Sequence, residues 1–256
     1  MKNRSLRFLK KLPLLLALCC FFQTNATGAP DHIVFVIAED EYLANESLPK
    51  FAKSHLSDEN EFKTTFLIQN SKNKYSIPWM EKLKEADLVV LYVRRRSLPN
   101  ADMATFRHYL KSGKPLLALR TSSHAWDTRD KGPKNQSEWK TFDPEVLGGN
   151  YHGHHGNSIE SKITIVPGMG SHSILKGVNA GLLTGKGSLY EVSPLAESAQ
   201  VILIGTIPNQ PSEPILWSHR FEKSKVVYTS LGHVGDFAQP HFNQLLINTI
   251  HYLLKK

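Results

Sequence analysis

The 256-residue sequence predicts an α/β domain built on one doubly wound, mainly parallel sheet. Three observations lead there. Short runs that are apolar throughout, rather than alternating, read as strands covered on both faces. Helical patterns separate those runs in a β-α-β-α-β order along the first half of the chain. A long segment with one apolar face closes the sequence and is suited to pack across a sheet.

His32 to Ala38 (HIVFVIA) is the first buried strand. Leu48 to Leu56 has apolar residues at 48, 51, 52 and 56, a helical pattern with Pro49 suited to its first turn. Lys63 to Gln69 is rich in β-formers, Ile77 to Ala86 contains a short helix, and Asp87 to Val93 (DLVVLYV) is a second buried strand. In Ala101 to Ser112, Met103, Phe106, Tyr109 and Leu110 share one helical face, with Gly113 as the cap. Leu116 to Leu119 is the next strand. Trp126 to Asp143 is polar, holds Gly132-Pro133, and reads as a loop or lid. The second half offers strands at 161–167, 188–192, 201–206, 214–220 and 225–230, then a helix from Gln239 to Lys255. No repeat, low-complexity tract or linker divides residues 31–254, so one domain is expected.

Residues 1–28 read as an export signal. Lys2, Arg4, Arg7, Lys10 and Lys11 precede an apolar stretch, Leu12 to Phe22, too short to span a bilayer comfortably, and small residues follow at Ala26, Gly28 and Ala29. Cleavage after Gly28 leaves roughly 228 residues. The formal charge falls from +8 to +3 when those five basic residues leave, so the charge does not argue for nucleic-acid binding. Cys19 and Cys20 are the only cysteines and both lie in the signal, so the mature chain has no thiol nucleophile, disulfide or thiolate ligand. A periplasmic or secreted protein without stable membrane insertion is expected. Its oligomeric state is not legible.

In a parallel α/β sheet, ligands sit beyond the carboxyl ends of the strands. That rule gathers Glu39, Asp40, Glu41 and Tyr42 after the first strand, and Arg94, Arg95 and Arg96 after the third. Arg120 to His124 follow the fourth, and His233 with Asp236 follow the last. The junction KPLLALRTSSHAW (114–126) has the form of a catalytic elbow, which needs small residues two positions either side of its tip. Ala118 and Ser122 meet that need only around Arg120, a residue that neither attacks nor loses its proton. Ser122 and Ser123 lack such flanks, and adjacent His124 is expected to point away from them. A fifth cluster, LGGNYHGHHG (147–156), brings Tyr151, His152, His154 and His155 among four glycines. It reads as a glycine-supported pocket wall. Zinc held by His152, His154 and His155 is the alternative, without an established zinc spacing to support it.

Several stretches together resemble the ThuA-like (trehalose utilisation) family. They are EDEY (39–42), ADLVVLYVRRR (86–96), GKPLLALRTSSHAW (113–126), VLGGNYHGHHG (146–156) and YTSLGHVGDF (228–237), and the resemblance spans about residues 31–254. It implies a flavodoxin-like core akin to class I glutamine amidotransferases, in an exported branch of the family. The cysteine of an amidotransferase elbow corresponds to Arg120, so glutaminase activity is not expected. The resemblance implies a link to disaccharide and keto-sugar metabolism. It carries over Glu39, Glu41, Tyr42, Arg94, Arg96, Arg120, Ser122, His124, His152, His155, His233 and Asp236 as pocket residues, without individual roles.

Two functions follow as expectations. One is an enzyme of isomerase or hydrolase type acting on a sugar or keto-sugar. There Arg120 stabilises a developing oxyanion, and His124, His155 or Glu39 moves the proton. Glu41, Tyr42, Arg94, Arg96, Ser122, Tyr151, His152, His233 and Asp236 would bind substrate, with no cofactor or metal. The other is a non-catalytic carbohydrate- or partner-binding protein in which Trp126, Trp139, Tyr42 and Tyr151 stack on sugar rings.

Overall fold

The computed structural model describes residues 28–69, 73–130, 132–156 and 159–255. The export signal expected over residues 1–28 lies, apart from Gly28, outside these. Among the described residues no helix is long and apolar enough to cross a membrane.

The chain runs through β1 (Asp31–Ala38), α1 (Ala44–His55), β2 (Phe62–Ile68), β3 (Leu88–Val93) and the short β4 (Leu98–Pro99). There follow α2 (Asn100–Lys111), β5 (Leu116–Leu119), β6 (Gln136–Ser137), β7 (Gly153–His155), β8 (Ser161–Ile165), β9 (Thr184–Gly185) and β10 (Leu189–Glu191). The chain ends with β11 (Gln200–Thr206), β12 (Glu213–Phe221), β13 (Ser224–Thr229) and α3 (Pro240–Leu254). Nine of the described strands form one sheet in the order β2-β1-β3-β5-β13-β12-β11-β8-β9. Neighbours from β2 to β13 are parallel, and neighbours from β13 to β9 are antiparallel. The parallel part has the flavodoxin-like order, and its winding reverses between β1 and β3.

The continuous apolar runs are explained by two covered faces. Ile33, Phe35 and Ile37 point into one core with residues of α1 and α3. Val34, Val36 and Ala38 point into the other, with Met103, Phe106 and Leu110 of α2. Helix α1 begins one turn earlier than its apolar pattern suggests, because Glu39 accepts the Ala44 amide at 2.7 Å; Pro49 therefore lies in the second turn.

Two expectations change. The 126–143 segment is not a lid over a site. Trp126, Trp139 and Phe142 are buried and pack on Phe106, closing one face of the sheet. The 188–192 strand does not join the main sheet; it is β10, paired with β7 in a separate antiparallel ribbon.

Candidate functional site

The elbow forms in the register that the small residues require. Arg120 follows β5 directly and has φ 43, a left-handed conformation that costs a non-glycine residue energy. Tyr228 on β13 donates its hydroxyl hydrogen bond to the Arg120 carbonyl at 2.7 Å, pinning the turn. The Arg120 side chain is only 2% exposed. Its Nη1 donates to the Ser230 carbonyl at 2.9 Å and its Nη2 to Ser188 Oγ at 3.4 Å. The guanidinium lies 4.3 Å from the centre of the Tyr42 ring and 5.0 Å from that of Tyr190. Its Nε has no hydrogen-bond partner, and no ion pair engages Arg120 among the described residues. Gly187 packs so close that a Cβ there would sit 2.1 Å from Nη2. Burial opposes the charge of Arg120, the phenol oxygens of Tyr190, Tyr92 and Tyr42 favour it, and the balance lies above the ordinary arginine value.

The β7–β10 ribbon supplies one wall. A strand alternates its side chains, and so β7 separates His154 from His155, while His152 precedes the strand. His154 opposes Tyr190 across the ribbon and lies 3.3 Å from the Tyr151 hydroxyl. His155 and His152 turn instead to Glu191, at 3.3 and 3.7 Å. Among the described residues no group of three metal-ligating side chains converges, so the His152, His154, His155 zinc alternative lacks its geometry.

His124 is buried and stacks on Tyr151 with ring centres 4.6 Å apart. Burial, then Arg95, Arg94, Arg129 and His154, drive its pKa down to about 2, so the imidazole is neutral. Contrary to expectation its Nδ1 meets Ser123 Oγ, at 3.1 Å. His233 packs edge-on against Tyr42 at 5.5 Å, and its Nδ1 accepts the Gly235 amide at 3.1 Å. Burial, with Arg120 next, lowers its pKa, so neutral His233 carries its proton on Nε2.

Other residues from the rim have different work. Glu39 accepts three backbone amides, from Glu41, Tyr42 and Ala44, at 2.7 to 2.8 Å. Its carboxylate shapes the β1–α1 turn, with three of its lone-pair sites taken by backbone amides. Asp236, fully buried, accepts the amides of Gly232, His233 and Lys186 and ties the last loop to the 186–188 segment. Ser122 is also fully buried; it donates to the Leu91 carbonyl at 2.9 Å and faces the sheet rather than the rim. Arg96 turns towards β2, bonding Gln69 and Asp40 at 2.6 Å each, away from Arg120. Arg94 pairs with Glu41 at 2.9 Å. Trp126 and Trp139, buried under α2, offer no stacking face.

The assembled centre is therefore Tyr42, Arg120, His124, Tyr151, His154, Tyr190 and His233. Sequence reasoning missed Tyr190, a single tyrosine in a three-residue strand with no motif around it. It also missed Ser188 and Gly187, whose role appears only when the ribbon meets the elbow.

The trehalose utilisation (ThuA) family model matches residues 34–253. A ThuA-like protein from Bacteroides uniformis ATCC 8492 superposes with a TM-score of 0.65 at 19% identity, over 91% of this chain and 95% of that one. A second, from Parabacteroides merdae ATCC 43184, gives 0.62 at 15% identity, over 88% and 90%. A β-galactosidase from Rahnella sp. R3 gives 0.55 at 10% identity, over 89% of this chain and 32% of the enzyme. At these identities the likeness shows a shared fold. No curated protein matches the sequence significantly. With the family model spanning most of the sequence, and the elbow and flavodoxin-like order in place, the chain belongs to the ThuA, or trehalose utilisation, family.

Proposed function

We propose that this protein binds and transforms a sugar or keto-sugar at the rim where Tyr42, Arg120, Tyr151 and Tyr190 meet. One observation carries the reading: a guanidinium is kept buried between two tyrosine faces, with no carboxylate partner among the described residues. A buried unpaired charge is costly, and here it stands where α/β folds place their ligands. Tyrosine faces suit the apolar side of a sugar ring, and a fixed cation suits a developing oxyanion.

The chemistry is of isomerase or hydrolase type. A base removes the proton beside the carbonyl, Arg120 stabilises the enolate oxygen, and the proton returns at a neighbouring atom. Because Glu39 is engaged by three turn amides and His155 faces Glu191, His154 is the imidazole best placed to take the proton. Neutral His124 and the Nε2–H of His233 serve as hydrogen-bonding groups. With Arg120 covered by Tyr42, the Tyr42 ring must swing away for a ligand to reach it. The test is a turnover screen on keto-disaccharides with wild type, Arg120→Met and Tyr42→Ala. Turnover lost in both variants supports the proposal, and absence of turnover in the wild type counts against it.

A second reading, binding without chemistry, is favoured by one fact. The carboxylates of Glu39 and Asp236 are taken by backbone amides, leaving the elbow without an acid of its own. Calorimetry against a glycan panel distinguishes the two, since saturable binding without product supports the binder. We propose export to the periplasm or medium on the strength of residues 1–28; N-terminal sequencing of the protein from its native host tests it.

A further inference from the structure

We propose that the sugar taken at this rim carries a carboxylate, as a uronic or aldonic acid does. This rests on the reading of the rim as a sugar site and adds the charge of the ligand.

Four guanidinium groups bear on the centre. Arg94 and Arg95 follow β3, Arg120 is the elbow tip, and Arg129 comes from the segment that follows the elbow. The Tyr151 phenol lies in the field of Arg95, Arg94 and Arg120. At the stacked His124 ring the groups that bear most, after burial, are the cations Arg95, Arg94 and Arg129, with His154 after them.

Opposing charge is thin at this mouth. Glu41 engages Arg94 at 2.9 Å, with both side chains a third or more exposed. Asp127 reaches Arg95 only at 4.0 Å and also serves Lys140 at 3.9 Å. Arg95 is largely buried, sits at φ 49, and its Nε has no hydrogen-bond partner. Among the described residues neither Arg120 nor Arg129 has an ion pair. Glu39 and Asp236, the latter in the field of Arg120, are engaged by backbone amides, and Glu191 is turned to His152 and His155.

A buried arginine donor without a partner and a sealed guanidinium, beside aromatic rings, fit a flat anion attached to a ring. The planar fork of arginine matches a carboxylate through two parallel bonds. Tyr42 and Tyr151, both partly exposed, supply the faces for the ring itself, with buried Tyr190 behind them.

The experiment is calorimetric titration of the intact mature protein with glucuronate, glucose and a hexose phosphate, from low to physiological ionic strength. Glucuronate is expected to bind about tenfold or more tighter than glucose and to weaken several-fold as salt rises. Arg129→Gln, at an exposed position that does not endanger folding, is expected to weaken glucuronate several-fold, as is Arg95→Gln. Equal binding of glucose and glucuronate would overturn the carboxylate proposal and leave the sugar site standing. Tighter binding of the hexose phosphate would overturn it in favour of a phosphorylated ligand. Binding of no sugar, charged or neutral, would overturn both readings.

Discussion

Protonation of Asp143 should be visible in the stability of the whole fold. This residue opens the π-helical turn Asp143–Leu147, behind the His124–Tyr151 stack, and its carboxyl is buried. Oδ2 accepts the Tyr151 amide at 2.6 Å, whereas Oδ1 is buried without a hydrogen-bond partner. Gly149 crowds it so closely that a Cβ there would lie 2.5 Å from Oδ1. Burial raises the pKa from 3.8 to about 7, against the Tyr151 amide, which favours the anion. A native pKa above the unfolded one means that the native state holds its proton longer. Stability is therefore fully present near pH 4 and is lost as pH rises through about 7. Three units at about 1.4 kcal/mol each amount to roughly 4 kcal/mol, an upper figure. Asp143→Asn keeps an acceptor for the Tyr151 amide and cannot ionise. Urea unfolding of both proteins at about pH 5 and about pH 8 is the assay. About one of the three units is already lost below pH 5, so the variant should gain on the wild type by roughly 2–3 kcal/mol between those pH values. Any cost of burying the new amide group, on the order of 1–3 kcal/mol, is the same at both and cancels. A wild-type-minus-variant difference that does not change with pH would refute the reasoning.

Two further substitutions probe the framework around Arg120. Glu39→Gln puts an NH2 group against backbone amides that now donate to a carboxylate, and should cost on the order of 2–4 kcal/mol in urea unfolding. Unchanged stability with abolished turnover would instead return Glu39 to the role of catalytic base. Gly187→Ala drives a methyl group into the guanidinium of Arg120, and should cost about 1–3 kcal/mol and weaken sugar binding together. An alanine tolerated with both quantities unchanged would show that Arg120 is not held as tightly as the packing implies.

The sheet was legible because burial on both faces leaves a simple trace: Ile33 to Ala38 and Leu88 to Val93 are apolar at every position. The elbow was legible because crowding at its tip restricts the flanks, and Ala118 and Ser122 satisfied that restriction in one register. Side-chain direction was not legible. Arg94, Arg95 and Arg96 are consecutive, yet Arg96 turns to β2 while Arg94 and Arg95 stay with the rim. His154 and His155 are adjacent, and strand alternation sends them to Tyr151 and Glu191 respectively. Nor did charge at a strand end reveal whether a carboxylate serves a ligand or the backbone; Glu39 and Asp236 prove to organise loops. The polar composition of 126–143 hid three buried aromatic residues that the fold uses as core.

The most direct test of the sugar-site account is a crystal structure of the mature protein with a keto-sugar or sugar acid at saturating concentration. The account predicts density for the ring between Tyr42 and Tyr151, with the Tyr42 side chain displaced from Arg120 and a ligand oxygen within hydrogen-bond distance of that guanidinium. A ligand ordered on another face, or an unmoved Tyr42 over an empty rim at saturation, would contradict it.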